Sequence, residues 1–346
     1  MDIRSMYFDE LNEYIQSLNM PAYRTGQVFG WLHNKYVGSI DEMTNLPKTL
    51  RENLVKDGFV SIEEVTKQVS QKDGTIKYLF KLYDGQMIET VFMRYSYGNS
   101  VCISSQAGCR MGCKFCASTI GGLVRNLYAS EMLEQVYAVM RSTGERVSNI
   151  VIMGTGEPLD NYDNLIRFIR IITDERGYNL SQRNITMSTC GIVPNILKLA
   201  DENLAITLAI SLHAPNDEKR RKLMPIANKY SIEEIIDACK IYFEKTGRRI
   251  TFEYSLVKGE NDSIEDAKEL SILLKGLNCH VNLIPVNKIE ERQFSSSDND
   301  SIQKFKLGLE KNSINVTIRR SVGSDIDAAC GQLRRKHIVN KVEESL

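Results

Sequence analysis

The stretch Cys109-Arg110-Met111-Gly112-Cys113-Lys114-Phe115-Cys116 decides how the rest of the chain is read. Its three thiols stand in a C-x3-C-x2-C spacing, just after a short strand-like run, Val101–Ser105. Thiols packed this closely can converge on one soft metal centre. They do not complete a four-ligand structural zinc site, since the next Cys and His are as far away as Cys190 and His213. On a four-iron cluster, three sulfurs leave one iron free to hold a small molecule. Inert core thiols explain one or two such residues, but poorly explain three in a loop that also carries Gly108, Arg110, Gly112 and Lys114.

The surrounding chain has room for that chemistry. Its 346 residues bury a full enzyme core and leave space for a small second unit. With 44 basic and 44 acidic residues there is no global field pointing to nucleic acid, so RNA binding would need a local basic patch. Eight cysteines are too few for a disulfide scaffold and cluster instead, which suits a reducing compartment and metal chemistry. The start lacks a signal peptide's basic and apolar segments, and no apolar run approaches membrane-spanning length. The expectation is a soluble cytoplasmic protein, with no membrane partner and acting as a monomer.

Working outward, residues 100–333 alternate strands with helical patterns. Strands are expected at Val101–Ser105, Asn149–Met153, Asn184–Ser188, Ala205–Ser211, Ile250–Val257 and His280–Pro285, with a terminal strand at Asn315–Arg319. Helical periodicity falls between them, as in Ser130–Ser142 and Ile232–Phe243. Repeated β-α units imply a parallel sheet with helices outside, and six units are too few for a closed eight-stranded barrel. The predicted fold is therefore α/β, an incomplete (β/α)6 barrel with function at the C-terminal strand ends. Upstream, residues 1–75 read as a helical accessory unit, and 76–99 as a β-hairpin turning at Asp84-Gly85 and linked through Tyr97–Ser100. Residues 334–346 form a basic tail.

Several motifs fall at the expected strand ends. Met153-Gly154-Thr155-Gly156-Glu157-Pro158 has glycines that either let backbone approach a ligand or accommodate a crowded strand end, and Glu157 suits a ligand ammonium. Ser188 can hydrogen-bond, while Cys190 reads as core. His213 follows a strand directly, where it contacts ligand or packs, and Asn287 can recognise a ribose or adenine or hold its own loop. Basic residues recur at Arg24, His33, Lys35, Lys48 and Arg51, at Lys219-Arg220-Arg221-Lys222, Arg248-Arg249, Arg319-Arg320 and Arg334-Arg335-Lys336. Each run either solubilises the surface or positions an RNA backbone. Cys330, between Ala329 and Gly331 in Gly323–Leu333, reads as a reactive thiol or as a small buried hydrophobe in a closing turn.

These pieces in this order resemble the RlmN/Cfr family of radical S-adenosylmethionine (SAM) adenine methyltransferases over essentially the whole chain. The resemblance rests on Tyr23-Arg24 with Gln27, Glu89-Thr90-Val91, Cys102–Gln106, the cysteine loop, Gly156-Glu157-Pro158, Ser211–Asp217 and Gly323–Leu333. It implies a [4Fe-4S] cluster on Cys109, Cys113 and Cys116. It implies SAM contacts at Gly156, Glu157, Ser188, Ser211, Leu212, His213 and Asn287, with Met153 a retained neighbour of that motif. Cys330 matches the thiol that becomes S-methylated, Cys102 the second catalytic thiol, and Glu89 the proton acceptor.

The implied reaction methylates C2 of adenine 2503 in 23S rRNA and of adenine 37 in tRNAs, using two SAM per turnover. One SAM methylates Cys330. A second, reduced through the cluster by a flavodoxin or ferredoxin, generates the radical that activates the methyl group for attack on C2. Cys102 then releases the RNA and leaves a Cys102–Cys330 disulfide. The helical accessory unit is expected to bind RNA. Thr155, where Met is common in the family, and Cys190, where Ser is usual, depart from the pattern. The alternative within the family is Cfr-type methylation at C8, which shares the cluster and both thiols.

Overall fold

The computed structural model describes residues 2–58, 61–286, 294–319, 322–326, 331–334 and 337. Asn287, Arg320, Cys330, Arg335, Lys336 and nearly all of the basic tail lie outside them.

Three helices, α1 (Phe8–Ser17), α2 (Tyr23–His33) and α3 (Lys48–Asp57), close over their own core of Leu11, Ile15, Phe29, Leu32 and Leu50. An antiparallel meander follows: β1 (Glu63–Val69), β2 (Ile76–Lys81), β3 (Met87–Tyr95) and β4 (Gly98–Cys102). The strand β1 departs from the expected helical unit of 1–75. Its sequence, Glu-Glu-Val-Thr-Lys-Gln-Val, shows no apolar alternation because it is a sheet edge with neither face fully covered. The expected linker at Tyr97–Ser100 is a two-residue turn, Ser96-Tyr97, after which β4 continues the same sheet.

Beyond β4 a small ribbon, β5 (Gln106–Gly108) with β6 (Leu123–Asn126), brackets the cysteine loop. Then come α4 (Ala129–Thr143), β7 (Asn149–Ile152), α5 (Tyr162–Ile172), β8 (Ile185–Thr189), α6 (Val193–Asp201) and β9 (Thr207–Ser211). The chain continues through α7 (Asp217–Leu223), α8 (Ile232–Thr246), β10 (Ile250–Leu256), α9 (Ile264–Leu273), β11 (Cys279–Pro285), α10 (Asn299–Glu310) and β12 (Asn315–Ile318). Strand order is β1-β2-β3-β4-β7-β8-β9-β10-β11-β12, parallel from β4 onward. This is the incomplete barrel: β1 and β12 are its edges and do not pair. Ser231, Ser263 and Asp298 cap α8, α9 and α10 by accepting backbone N–H bonds, which fixes where each helix leaves its loop. Among the described residues no helix is long and apolar enough to cross a membrane.

The helical unit is locked to the barrel by buried polar contacts. Arg4 is fully buried, pairs with Glu134 on α4, and donates to the Val37 carbonyl at 2.6 Å. His33 is fully buried as well, with Nδ1 3.0 Å from the Tyr137 hydroxyl. It therefore faces the barrel and not a nucleic-acid backbone, because the last turn of α2 is the docking surface. Burial first, and Arg4 next, push its pKa down to about 3.

The unfolded chain takes up that proton near 6.5, whereas the folded chain resists it until about 3. Stability is thus whole above pH 6.5 and falls as pH drops through this window, by up to about 1.4 kcal/mol per pH unit from this residue. Urea unfolding at stepped pH should show that slope in the wild type and a flatter one in His33→Phe. Equal slopes would refute the assignment.

Candidate active site at the strand ends

The C-terminal ends of the parallel strands surround a cavity of ≈ 570 Å³, within the range of small-molecule and cofactor sites. All three thiols of the cysteine loop open into it. The loop is held from both sides. Lys114 N–H donates to the Leu223 carbonyl at 2.9 Å, and the Thr119 hydroxyl donates to the Cys113 and Cys116 carbonyls at 3.1 and 2.9 Å. Burial pushes the Cys109 thiol up to about 12 and Cys113 higher still. Such thiols ionise when a metal takes their protons' place. Among the described residues no three His, Cys, Asp or Glu side chains are grouped as they would be round a single ion. Three soft thiol donors face one broad cavity, and by their donor chemistry they fit an iron–sulfur cluster.

The glycines at the end of β7 serve packing. A Cβ on Gly154 would meet the Ile103 carbonyl oxygen at 2.7 Å, and one on Gly156, whose φ is +110°, would meet Gln106 Cβ at 2.6 Å. The crowded-strand-end reading therefore accounts for both, while Gly156 also borders the cavity. The tight turn aims Glu157 inward. Its carboxylate accepts from Cys190 N at 2.7 Å and Leu159 N at 3.0 Å, and burial raises its pKa. A carboxylate retains acceptor capacity beyond two bonds, so a ligand ammonium could still be received. Thr155 is buried, its N–H bonded to Ser104 Oγ, and its Oγ1 has no hydrogen-bond partner among the described residues.

On the neighbouring strands the Ser188 and Ser211 hydroxyls lie 3.0 Å apart on the cavity wall. His213 stands next to them with a left-handed φ of +58°. Its Nδ1 accepts from Ser255 N at 2.9 Å, and its ring meets Phe115 edge-on at 5.0 Å. That bond assigns the remaining proton to Nε2. Leu212, by contrast, points its side chain into the main core and offers the site only backbone.

Several residues that support this wall carry no obvious sequence signal. Asn261 is fully buried, donating to the His213 and Ser255 carbonyls at 2.7 Å each and accepting from Val257 N at 2.7 Å. Arg220 donates to the Cys190 carbonyl at 2.6 Å and the Leu212 carbonyl at 3.2 Å. The basic run at 219–222 is thus a helix turn and not a free phosphate patch. Arg220 is buried, Lys219 pairs with Asp266, and Arg221 and Lys222 pair with Asp217 and Glu218 one turn back. Arg248 bonds Ile206 at the start of β9, the opposite end from the cavity. Glu253 borders the cavity from β10, accepting from Asn282 at 2.9 Å, and its detectable signal was a charge inside the apolar strand Thr251–Leu256. Arg319, the residue after β12, also lines the wall.

The far side is formed by the chain's last described segments. Asp73 accepts from Gly323 N at 2.8 Å, and Asp325 accepts from Ser70 Oγ at 2.6 Å and Gln71 N at 2.8 Å. The turn between β1 and β2 therefore grips one end of the 322–334 stretch. Glu89 on β3 grips the other, accepting from Gly331 N at 2.5 Å and Arg334 N at 2.7 Å, with buried Lys77 2.9 Å away. Gly331 needs its lack of a side chain: φ is +80° and a Cβ would meet Ala117 Cβ at 2.8 Å. Val322 packs with Val91, Met93 and Met153 around the buried thiol of Cys102, whose pKa burial raises.

Comparison with known proteins agrees with this geometry. Residues 1–60 match the model of the ribosomal RNA large subunit methyltransferase N-terminal domain, and residues 103–270 match that of the radical SAM superfamily. A probable dual-specificity RNA methyltransferase RlmN from Lachnospira eligens is 60% identical, covering 99% of this chain and 98% of its own. One of the same description from Clostridium novyi is 52% identical over 98% of this chain and 99% of its own. The crystal structure of a radical SAM methyltransferase from Sphaerobacter thermophilus superposes with a TM-score of 0.92 at 45% identity, over 96% of this chain and 98% of that one. With this fold, this cysteine loop and relatives alike from end to end, the chain belongs to the RlmN family of radical SAM RNA methyltransferases.

Proposed function

We propose that this chain methylates C2 of adenine in RNA, at adenine 2503 of 23S rRNA and adenine 37 of tRNAs, by way of a methyl group carried on Cys330. The observation that carries the reading is the seating of Gly331, the residue after Cys330. It is held between Glu89 and Ala117, the residue after Cys116. Ile326, just before the undescribed residues 327–330, and Gln332, two positions after Cys330, both border the cavity.

Cys109, Cys113 and Cys116 would hold a [4Fe-4S] cluster. Gly156, Glu157, Ser188, Ser211, His213, the Leu212 backbone and Asn287 would receive SAM. When bound, these groups supply the methyl group and the one-electron chemistry that a ring carbon without a nucleophilic lone pair requires. The chain's own residues do the remainder. Cys330 sulfur carries the methyl carbon to C2. Glu89 takes the proton that C2 gives up. Cys102 thiolate then attacks the Cys330 sulfur, forming an S–S bond while the electron pair of the broken C–S bond returns to the RNA-bound carbon, which takes up a proton to become the methyl group. A flavodoxin- or ferredoxin-type donor supplies electrons, and the protein acts as a cytoplasmic monomer.

The test is anaerobic: iron-reconstituted protein, SAM, reductant and a tRNA anticodon stem-loop, followed by nucleoside mass spectrometry. 2-Methyladenosine is the expected product. An 8-methyl product, or none, overturns the proposal.

A further inference from the structure

At the same end of the sheet as the cavity, though not among the residues that line it, lies an exposed aromatic patch that the reaction leaves unused. Tyr83 and Tyr128 stack with ring centroids 6.5 Å apart and 22° between planes. They are 64% and 47% exposed. Arg125 lies over both rings, at 4.9 and 5.6 Å from the centroids. Its guanidinium is fully engaged in its own plane: Nε donates to Asp84 at 2.6 Å, and Nη1 and Nη2 donate to Glu131 at 2.7 Å each. A guanidinium fixed this way keeps its faces for stacking. With two carboxylates around one cation, the patch does not attract phosphate.

Its position gives it a use. Tyr83 sits in the turn between β2 and β3. Because β3 runs antiparallel to β4, that turn lies at the end of the sheet where β4 finishes in Cys102. Arg125 and Tyr128 come from β6 and the residues after it, on the far flank of the cysteine loop. The β2–β3 turn that leads into Glu89 and the ribbon that flanks the three thiols therefore meet at this patch, through the Arg125–Asp84 ion pair. An enzyme acting on a ring carbon must draw its base out of the stack, which leaves the neighbouring bases without partners.

We infer that Tyr83 and Tyr128 form a stacking subsite for an unpaired nucleobase flanking the target adenine, a reading that rests on the RNA substrate proposed above. The ligand is a base face and not a phosphate. Loss of one base–aromatic stack weakens RNA binding by roughly 5- to 150-fold.

The experiment uses the full-length reconstituted protein and an anticodon stem-loop with 2-aminopurine beside the target adenine, titrated by fluorescence at several salt concentrations. Tyr83→Ala and Tyr128→Ala should weaken binding by that factor, and Tyr83→Phe, which keeps a ring face, should bind within about threefold of wild type. The slope of log affinity against log salt should stay the same in all of them, since no phosphate contact is removed. Iron content, and S-methylation of Cys330 in the absence of RNA, should not change. Unchanged affinity in both Ala variants overturns the subsite, as does a salt slope reduced by a whole phosphate contact. Binding is read without turnover, so a wild type that binds the RNA and loses affinity on Tyr83→Ala, yet fails to methylate, refutes the reaction and supports the subsite.

Discussion

Cys330→Ala protein is expected to bind as much iron as wild type and to lose RNA methylation to background, at least about 10³-fold, because no other group can carry the methyl carbon. The cluster should survive because Cys330 is not one of the loop's three thiols, and the described thiols Cys113 and Cys102 pack in separate places. Cys113 lies with Cys190, Leu223, Met224 and Phe115, whereas Cys102 lies with Val91, Met93, Met153 and Val322. Cys102→Ala should behave differently. The methyl carbon reaches the RNA, but the sulfur that would release it is missing, so a covalent protein–RNA adduct accumulates. Denaturing gels and intact-mass spectrometry read both outcomes. Turnover by Cys330→Ala rejects the carrier, and absence of the adduct in Cys102→Ala rejects the release step.

The second large effect is at Glu89. Glu89→Gln should lower RNA methylation by roughly 10²- to 10⁴-fold, the usual size of a lost acid–base group. The structure adds a role that the resemblance did not imply. Both carboxylate oxygens accept backbone N–H bonds, from Gly331 and Arg334, so this side chain also anchors the segment that bears Cys330. An amide cannot accept at both ends, and Gln therefore weakens the anchor as well.

The two roles leave different residues behind. If proton removal is the lost step, Glu89→Gln accumulates the RNA adduct. If anchoring is the only role, Cys330 is not methylated at all, and the mass of the protein shows it. Glu89→Ala should also destabilise the fold by about 3–5 kcal/mol, since it removes a buried carboxylate 2.9 Å from the fully buried Lys77 ammonium. Removing that charge in Glu89→Ala/Lys77→Met should restore much of this loss in urea unfolding, without restoring methylation.

Where local pattern and tertiary context agreed, the sequence was legible. The alternation of apolar runs at Asn149–Ile152, Thr207–Ser211 and Ile250–Leu256 with helical periods needs no distant contact to be read, and it predicted the incomplete barrel. The cysteine loop is equally local. The departures share a cause: charge conceals structure. The strand β1 reads as polar because it is an edge, and α7 reads as a basic run because its cations pair with acids one turn away. His33 and Arg220 looked like phosphate ligands, and both are buried, since only the packed structure supplies the carbonyls and the tyrosine hydroxyl that satisfy them.

The sequence by itself determined the chemistry available: three thiols at cluster spacing, further thiols well apart from them, and glycines where strands end. These depend on residue type and short spacing, which the chain carries in one dimension. Which residues meet was decided only by the tertiary structure. Glu89 and Gly331 are 242 positions apart, and Asp73 and Gly323 are 250 apart. No local pattern encodes those contacts, because they arise where an open barrel leaves an edge and the amino-terminal hairpin reaches round to hold the chain's other end. That grip brings Gly331 against Ala117, the residue after the last thiol of the cysteine loop.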